Sequence, residues 1–278
     1  MPSPAALRAR VESSLGERLS STLLLRERTA PVTVSTGVAA LDALTGGLPR
    51  GALSEITGLA SSGRTGVMLA ALSGATRRDE ACALVDASDN FDPASAALAG
   101  VDLERLLWVR CGQRDHSSLL KDQRRSAPSR LEQVLKVTDL LLQSGGFGMV
   151  VLDLGDMPTE SVRRVPLTSW FRFRRVVEPT ATVLLVVEQE PCAKTCASLV
   201  VSLRRTAICA CNPASPNETE FQGWEVLSRP GPAIPPPNVV GHAALLRGMQ
   251  LRAEVLRSWT QPKPLHSVGV QFELRAAQ

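Results

Sequence analysis

One short glycine-rich segment constrains the fold of this chain more than any other feature. Residues 58–65 read Gly-Leu-Ala-Ser-Ser-Gly-Arg-Thr, which fits the phosphate-binding pattern G-x-x-x-x-G-K-[ST] except that Arg64 replaces the lysine. The glycines allow the backbone to curl so that several N–H groups point at one anion, and a following helix N-terminus adds its dipole. Considered alone, the segment could equally be an ordinary Gly/Ser turn.

The segments around this loop favour the phosphate-binding interpretation. Residues 52–57 are typical of a strand and residues 65–73 of a helix, which is the strand–loop–helix order that such a loop requires. A carboxylate also ends the apolar stretch Val150-Val151-Leu152-Asp153, where an acid in proteins with this loop holds Mg²⁺. Without the loop, Asp153 would be interpreted as a solvated strand-end residue; with it, we expect Thr65 and Asp153 to hold Mg²⁺.

Strands alternate with helices along the chain, which predicts an α/β fold with a mostly parallel sheet flanked by helices. Ser129 and Glu132 have capping-box spacing, which predicts the start of a helix. We predict three regions: an N-terminal helix and linker over 1–34, a core over 35–229, and a proline-rich linker with a small C-terminal extension over 230–278. The N-terminal helix either packs on the core or contacts another protomer.

Composition narrows the class of protein. The 278 residues are 44% hydrophobic and 21% charged, which is typical of a globular domain rather than a disordered chain. The sequence has no apolar run of about 18 residues and no apolar signal-peptide core, so we expect a cytoplasmic protein without a membrane partner. The net charge of +4 permits nucleic-acid binding without demanding it.

The order and spacing of several motifs resemble the core of the RecA recombinase family. The matching segments are Ser35-Thr36-Gly37, residues 46–51, Glu55-Ile56, residues 58–65, Leu84-Val85-Asp86-Ala87, Asp92-Pro93, Gly100-Val101-Asp102, residues 150–153 and Val187-Glu188-Gln189. The resemblance implies a RecA-like core that binds ATP or ADP with Mg²⁺. It further implies that Gln189 senses the terminal phosphate and that the phosphates are held by Gly58, Ser61, Ser62, Gly63, Arg64 and Thr65.

Three departures from the family pattern bear on activity. Arg64 keeps the positive charge of the usual lysine but is longer, planar and forked. Ser88 stands where the family has a catalytic glutamate, and serine is no general base without its own activator. Asp89 and Asp92 are the candidate replacements. Only the seven residues 190–196 separate Gln189 from the next predicted strand, where the family has a long glycine-rich DNA-binding loop.

With these departures, the chain resembles most the ImuA proteins, the RecA-like accessory proteins of the bacterial translesion mutasome. That resemblance implies a role in the SOS response to DNA damage, with RecA and an ImuB-type polymerase-like protein as partners. Single-stranded DNA and further copies of the chain are additional candidate partners. Nucleotide would then be a structural or switching ligand with weak or no hydrolysis. Two alternatives stay open: a DNA-stimulated ATPase of the recombinase-paralogue type, and a structural module that keeps the loop as a relic.

A basic segment follows Asp153, where the family places its first DNA loop. It contains three aromatic residues and the five arginines Arg163, Arg164, Arg172, Arg174 and Arg175. The segment is either a surface for DNA phosphates or an acidic partner, or a helix whose aromatic side chains face the core while its arginines are solvated. Pro166 is expected to break or kink a helix here.

Two cysteine pairs are weak candidates for a zinc site. Cys192 and Cys196 are separated by three residues, and Cys209 and Cys211 by one. Neither spacing is the C-x-x-C spacing of strong zinc sites, so we expect ordinary buried, reduced thiols.

Overall fold

The computed structural model describes residues 31–111, 129–210, 246–258 and 269–275. The predicted N-terminal helix and the proline-rich linker lie outside the described residues. The described residues from Val32 onward belong to one compact unit. Among the helices described, none has the length and apolar character needed to cross a membrane.

The described chain contains ten strands and six α-helices. The strands are β1 Thr33–Val34, β2 Leu48–Pro49, β3 Ala52–Thr57, β4 Cys82–Asp86, β5 Leu106–Arg110, β6 Met149–Asp153, β7 Val183–Glu188, β8 Ala197–Ala210, β9 Leu246–Arg257 and β10 Gly269–Arg275. The helices are α1 Ala39–Thr45, α2 Arg64–Arg77, α3 Pro93–Leu98, α4 Arg130–Ser144, α5 Thr159–Arg163 and α6 Leu167–Val177. Short 3-10 turns occupy Leu103–Arg105 and Lys194–Cys196.

Eight of these strands form one sheet in the order β10-β9-β8-β3-β7-β6-β4-β5. The six strands from β8 to β5 run parallel, whereas β9 and β10 add antiparallel strands beside β8. Strands β1 and β2 pair separately as a short antiparallel ribbon. The predicted α/β fold with a mostly parallel sheet is therefore confirmed, and the described residues of the C-terminal extension continue the same sheet.

Both faces of the parallel sheet are covered, which explains the continuous apolar runs in its strands. Every residue of β3, β4 and β7 is buried. One face packs against α6 through Trp170 and Phe173, and the other packs against α2 through Val67 and Leu72. Because parallel strands all end at the same edge, the loops after β3, β4, β6 and β7 meet there.

Pro166 divides the basic segment into the two helices α5 and α6. Proline fixes φ and cannot donate to the preceding turn, so α6 begins at the residue that follows it. Within α6, Trp170, Phe173 and Val177 are buried at helical spacing, whereas Phe171 is 47% exposed. The core therefore takes two of the three aromatic side chains in this segment.

Candidate phosphate-binding site

The loop between β3 and α2 is held in a curled conformation that requires glycine at two positions. A Cβ atom on Gly58 would lie 2.4 Å from Ser62 Oγ and 2.5 Å from the carbonyl oxygen of Leu203. Gly63 precedes α2 with a φ of +87°, and a Cβ atom there would lie 2.3 Å from Leu251 Cδ1. The two glycines of the sequence motif are thus explained by close packing against β8 and β9 and by a left-handed backbone.

The start of α2 is suited to an anion. The 14-residue helix has no side-chain hydrogen bond at its N-cap, Gly63, so no side chain there competes for its first N–H groups. Ser61 has a φ of +60° and is exposed, and Thr65 is exposed in the first turn. Ser62 is buried, and its hydroxyl has no hydrogen-bond partner in the described chain. These features are consistent with the predicted phosphate contacts, which stay predictions.

Arg64 lies against the loop that follows β6. Its side chain is buried, with the residue 7% exposed, and Nη1 donates a hydrogen bond of 3.1 Å to the carbonyl oxygen of Gly155. Its Nη2 lies 4.0 Å from Asp156 Oδ1. A Cβ atom on Gly155 would lie 3.1 Å from Nη1, so a larger residue there would crowd the guanidinium. No local sequence pattern marks this glycine, because its importance depends on a contact with Arg64 of a distant helix.

Gln189 reaches the same carbonyl from the end of β7. Its Nε2 donates to the carbonyl oxygen of Gly155 at 3.0 Å and to that of Met157 at 3.4 Å. Thr159 Oγ1 donates to Gln189 Oε1 at 3.4 Å. The structure therefore brings together Arg64 and Gln189, the two side chains predicted to contact the terminal phosphate, on one backbone oxygen.

Asp153 ends β6 beside a second acid. It pairs in register with Asp86 of the neighbouring strand β4, and its Oδ1 accepts a hydrogen bond of 2.9 Å from the N–H of Gly155. Burial raises the pKa of Asp153 to about 6; the charges of Asp86 and Asp156 add to this effect, and Arg64 opposes it. Negative charge thus accumulates at this edge of the sheet.

The residues at this edge fit a bound Mg²⁺. Carboxylate and hydroxyl oxygens are the ligands that Mg²⁺ prefers, and Asp153 and Thr65 would supply them. The concentration of acids around Asp153 favours a cation electrostatically. Bound Mg²⁺ would offset the negative charge of nucleotide phosphates. The assignment of these two residues stays a prediction.

The loop after β4 places the candidate base Asp89 beside an arginine. Asp86 organises this loop, since its carboxylate accepts hydrogen bonds from the N–H groups of Ser88 and Asp89 at 3.1 and 2.8 Å. Asp89 forms two hydrogen bonds with Arg110, at 2.6 and 2.8 Å, and these lower the pKa of Asp89. A carboxylate with a lowered pKa is a weak proton acceptor, so this geometry does not favour Asp89 as a base.

The five arginines of the basic segment have different environments. Arg163 pairs with Glu190, Arg172 Nε lies 2.9 Å from Asp139 Oδ1, and Arg174 Nη1 donates to the carbonyl oxygen of Thr195 at 3.5 Å. Four of the five are exposed: Arg163, Arg164, Arg172 and Arg175. Trp170 and Phe173 face the core, as the second interpretation predicts, while the exposed arginines leave a basic surface that also carries Phe171. The binding of DNA or an acidic partner to this surface stays a prediction.

Comparison with known proteins relates the first half of the chain to RecA. The sequence profile of the RecA N-terminal domain matches residues 5–157. The chain is 34% identical over 151 residues to the RecA protein of Rickettsia canadensis, covering 54% of this chain and 39% of that protein. It is 39% identical over 123 residues to the RecA protein of Brucella canis, covering 44% and 29%. The chain thus spans about two-fifths or less of the length of these curated relatives.

A solved structure extends the likeness in fold beyond that half. The crystal structure of the RadB recombinase is similar with a TM-score of 0.52 and 16% sequence identity. The similarity covers 87% of this chain and 94% of that one. At this identity, it concerns the fold alone.

Proposed function

Because the chain belongs to the RecA family, we propose that it is an accessory protein of the SOS response that uses bound nucleotide as a switch. In this proposal it binds ATP or ADP with Mg²⁺ and hydrolyses ATP weakly or not at all. It acts in translesion synthesis as the ImuA proteins do, with RecA and an ImuB-type polymerase-like protein as partners. Single-stranded DNA and self-association are secondary interactions.

The observation that supports a switch is the carbonyl oxygen shared by Arg64 and Gln189. Both side chains donate to Gly155, at 3.1 and 3.0 Å. A terminal phosphate near these donors would compete with that carbonyl, because a charged oxygen is a stronger acceptor than a neutral one. Nucleotide would then release the loop that follows Asp153, and a conformational change in that loop is a signal that requires no hydrolysis.

Two features support weak hydrolysis. Ser88 occupies the position of the family's catalytic glutamate, and its hydroxyl is buried without a hydrogen-bond partner among the described residues. Asp89, the nearest replacement in sequence, is held by Arg110. Asp92 caps α3, where its carboxylate accepts hydrogen bonds from the N–H groups of Ala94 and Ser95. None of these three side chains is therefore placed as a general base.

The segment after Gln189 supports action through partners rather than strand exchange. It is short, and its backbone is fixed, since the N–H groups of Cys192 and Ala193 donate to the buried carboxylate of Glu55 at 3.0 and 2.5 Å. A loop fixed by buried hydrogen bonds is poorly suited to insert into DNA. The exposed arginines of the basic segment are the remaining candidate surface for DNA or an acidic partner.

The first experiment measures ATP and ADP binding by calorimetry, and ATP hydrolysis by phosphate release, with and without Mg²⁺ and single-stranded DNA. We expect Mg²⁺-dependent binding with turnover near background. Thr65→Val and Asp153→Asn should each weaken that binding by ~10-fold or more, because each removes a ligand of the ion. Asp79→Asn is the matched control: Asp79 is exposed and has a φ of +62°, which asparagine tolerates.

Other outcomes would overturn the proposal. DNA-stimulated turnover that is lost in Asp153→Asn would identify a DNA-stimulated ATPase of the recombinase-paralogue type. If neither nucleotide binds at any accessible concentration, the loop is a relic in a structural module, and the switch does not exist.

A second experiment tests the partner surface. Pull-down with purified RecA and with an ImuB-type protein, and fluorescence anisotropy with single-stranded DNA, would be compared for wild type and for Arg164→Ala/Arg175→Ala. Loss of phosphate contacts should weaken DNA binding and flatten its salt dependence. Arg105→Ala is the control, because Arg105 is partly exposed and paired with Asp79 and Asp102 instead. If Arg164→Ala/Arg175→Ala binds DNA and both proteins as tightly as the Arg105→Ala control does, this surface is excluded as the binding surface.

A further inference from the structure

Three buried side chains with metal-ligating atoms meet beside the sheet, and none of them belongs to the site described above. They are Glu55 of β3, Glu188 of β7 and Cys192 in the turn that follows. One ligand atom from each lies within 4.8 Å of the other two. The residues are 0%, 1% and 7% exposed, respectively.

Strand order places the two glutamates together. Strands β3 and β7 are parallel neighbours, and Glu55 pairs with Val186. Glu188 lies two residues further along β7, so both side chains project from the same face of the sheet. The turn after β7 then folds back over this face and brings Cys192 to both carboxylates.

Half of the carboxylate oxygens in this group are unused. Glu55 Oε1 accepts from the N–H groups of Cys192 and Ala193, and Glu188 Oε1 accepts from that of Cys192 at 3.1 Å. The second oxygen of each glutamate, Oε2, is buried without a hydrogen-bond partner in the described chain. No ion pair among the described residues reaches either carboxylate.

Such a group requires protons or a cation to be stable when buried. Without a cation, burial and the neighbouring Glu55 raise the pKa of Glu188 to about 10, and burial raises the pKa of the Cys192 thiol. A divalent cation would favour the ionised forms of all three side chains, which are the forms that coordinate metals.

A small pocket lies beside the group. It is lined by both Glu188 and Cys192, and its walls include Leu154, Met157 and Val162. Arg163 and Glu190 also line it, and they pair with each other. The pocket has room for about one water molecule beside Glu188 and Cys192, and that water would complete the coordination of a bound cation.

We propose that Glu55, Glu188 and Cys192 form a zinc site with a fourth position open to the pocket. One thiolate with two carboxylates suits Zn²⁺, whereas Mg²⁺ and Ca²⁺ bind oxygen and avoid thiolate. Binding releases the thiol proton and the proton held by the carboxyl pair. The occupied site has one net negative charge, which faces the N–H groups of Cys192 and Ala193. This inference does not depend on nucleotide binding.

The test is a cobalt titration of the metal-free full-length chain. Co²⁺ in this site should give a thiolate-to-cobalt absorption band at a ratio of one ion per chain, and Zn²⁺ should displace it. Cys192→Ala should lose the band, whereas Cys82→Ala, which removes another buried thiol, should retain it. Glu188→Gln should weaken affinity by ~100-fold or more, since loss of an outer partner alone costs 10–100-fold.

A measurement on the wild type keeps the test independent of how the variants fold. X-ray absorption of the zinc-loaded chain should show a single sulfur ligand at ~2.3 Å, with oxygen ligands completing the shell. A shell of several sulfurs, or of none, would overturn the assignment, as would unchanged cobalt binding by folded Cys192→Ala. Failure to bind stoichiometric metal would also overturn it, and would identify a pair of glutamates that share a proton instead.

Discussion

Replacement of Arg64 by alanine tests the placement of this side chain most directly. The guanidinium is buried and donates to the carbonyl oxygen of Gly155 at 3.1 Å. A hydrogen bond from a charged donor contributes roughly 1.5–3 kcal/mol. Because Gln189 still donates to this carbonyl at 3.0 Å, the oxygen is not left unpaired. We therefore expect the free energy of unfolding to fall by about 2 kcal/mol, toward the lower part of that range.

The assay is thermal and urea unfolding without nucleotide, followed by circular dichroism. For a chain of 278 residues, a loss of about 2 kcal/mol corresponds to a decrease of about 3–4 °C in Tm. Arg105→Ala is the control, because a partly exposed arginine in surface pairs contributes about 0–1 kcal/mol. Arg64→Lys should recover nucleotide affinity better than stability, since lysine provides the charge without the planar fork that reaches Gly155.

One result would refute this reasoning. If Arg64→Ala unfolds at the wild-type urea midpoint without nucleotide but binds nucleotide more weakly, the guanidinium does not rest on Gly155 in solution. The proposed competition between a phosphate and that carbonyl would then be wrong, even though Arg64 would still be a phosphate ligand.

Three further changes test other parts of the structure. Gly63→Ala should lower the free energy of unfolding by about 2 kcal/mol, through left-handed backbone strain and through contact with Leu251. In a double-mutant cycle followed by urea unfolding, Leu251→Ala should remove only the part of this cost that comes from the contact. Strictly additive effects of the two substitutions would contradict this account. Asp89→Asn should leave any residual ATP turnover unchanged in a phosphate-release assay, whereas its loss would support the ATPase alternative. For Glu80, burial raises the pKa, but hydrogen bonds from Arg78 and Arg50 outweigh it and lower that pKa. The stabilisation by Glu80 is therefore fully present above pH ~4.5 and is lost as the pH falls through the lowered pKa. Glu80→Gln should cost about 1 kcal/mol at pH 7 and less at pH 3; equal costs at both pH values would contradict the assignment.

Several features could be predicted from the sequence because they depend on neighbouring residues. The capping box predicted the start of α4, and Ser129 and Glu132 do exchange hydrogen bonds there. The alternation of apolar runs with helical segments predicted the parallel sheet, and Pro166 marked the break before α6. The glycine-rich loop was recognisable because turn geometry restricts residue choice at each position.

Contacts between distant residues required the tertiary structure. Nothing local indicates that Arg64 rests on Gly155, that Asp89 pairs with Arg110, or which aromatic side chains of α6 face the core. Periodicity identifies an apolar face but does not identify the residues that pack against it.

The sequence by itself determined the fold class, the glycine-rich loop that is the candidate phosphate site, and the residues that depart from the RecA family pattern. Only the tertiary structure decided that β3 lies beside β7 and that Glu55, Glu188 and Cys192 therefore share one buried space. The physical reason is that turns, caps and strand periodicity arise from interactions over a few residues, whereas strand order is set by the packing of the whole sheet and its helices. A site assembled from two strands and a turn exists only after that packing is complete.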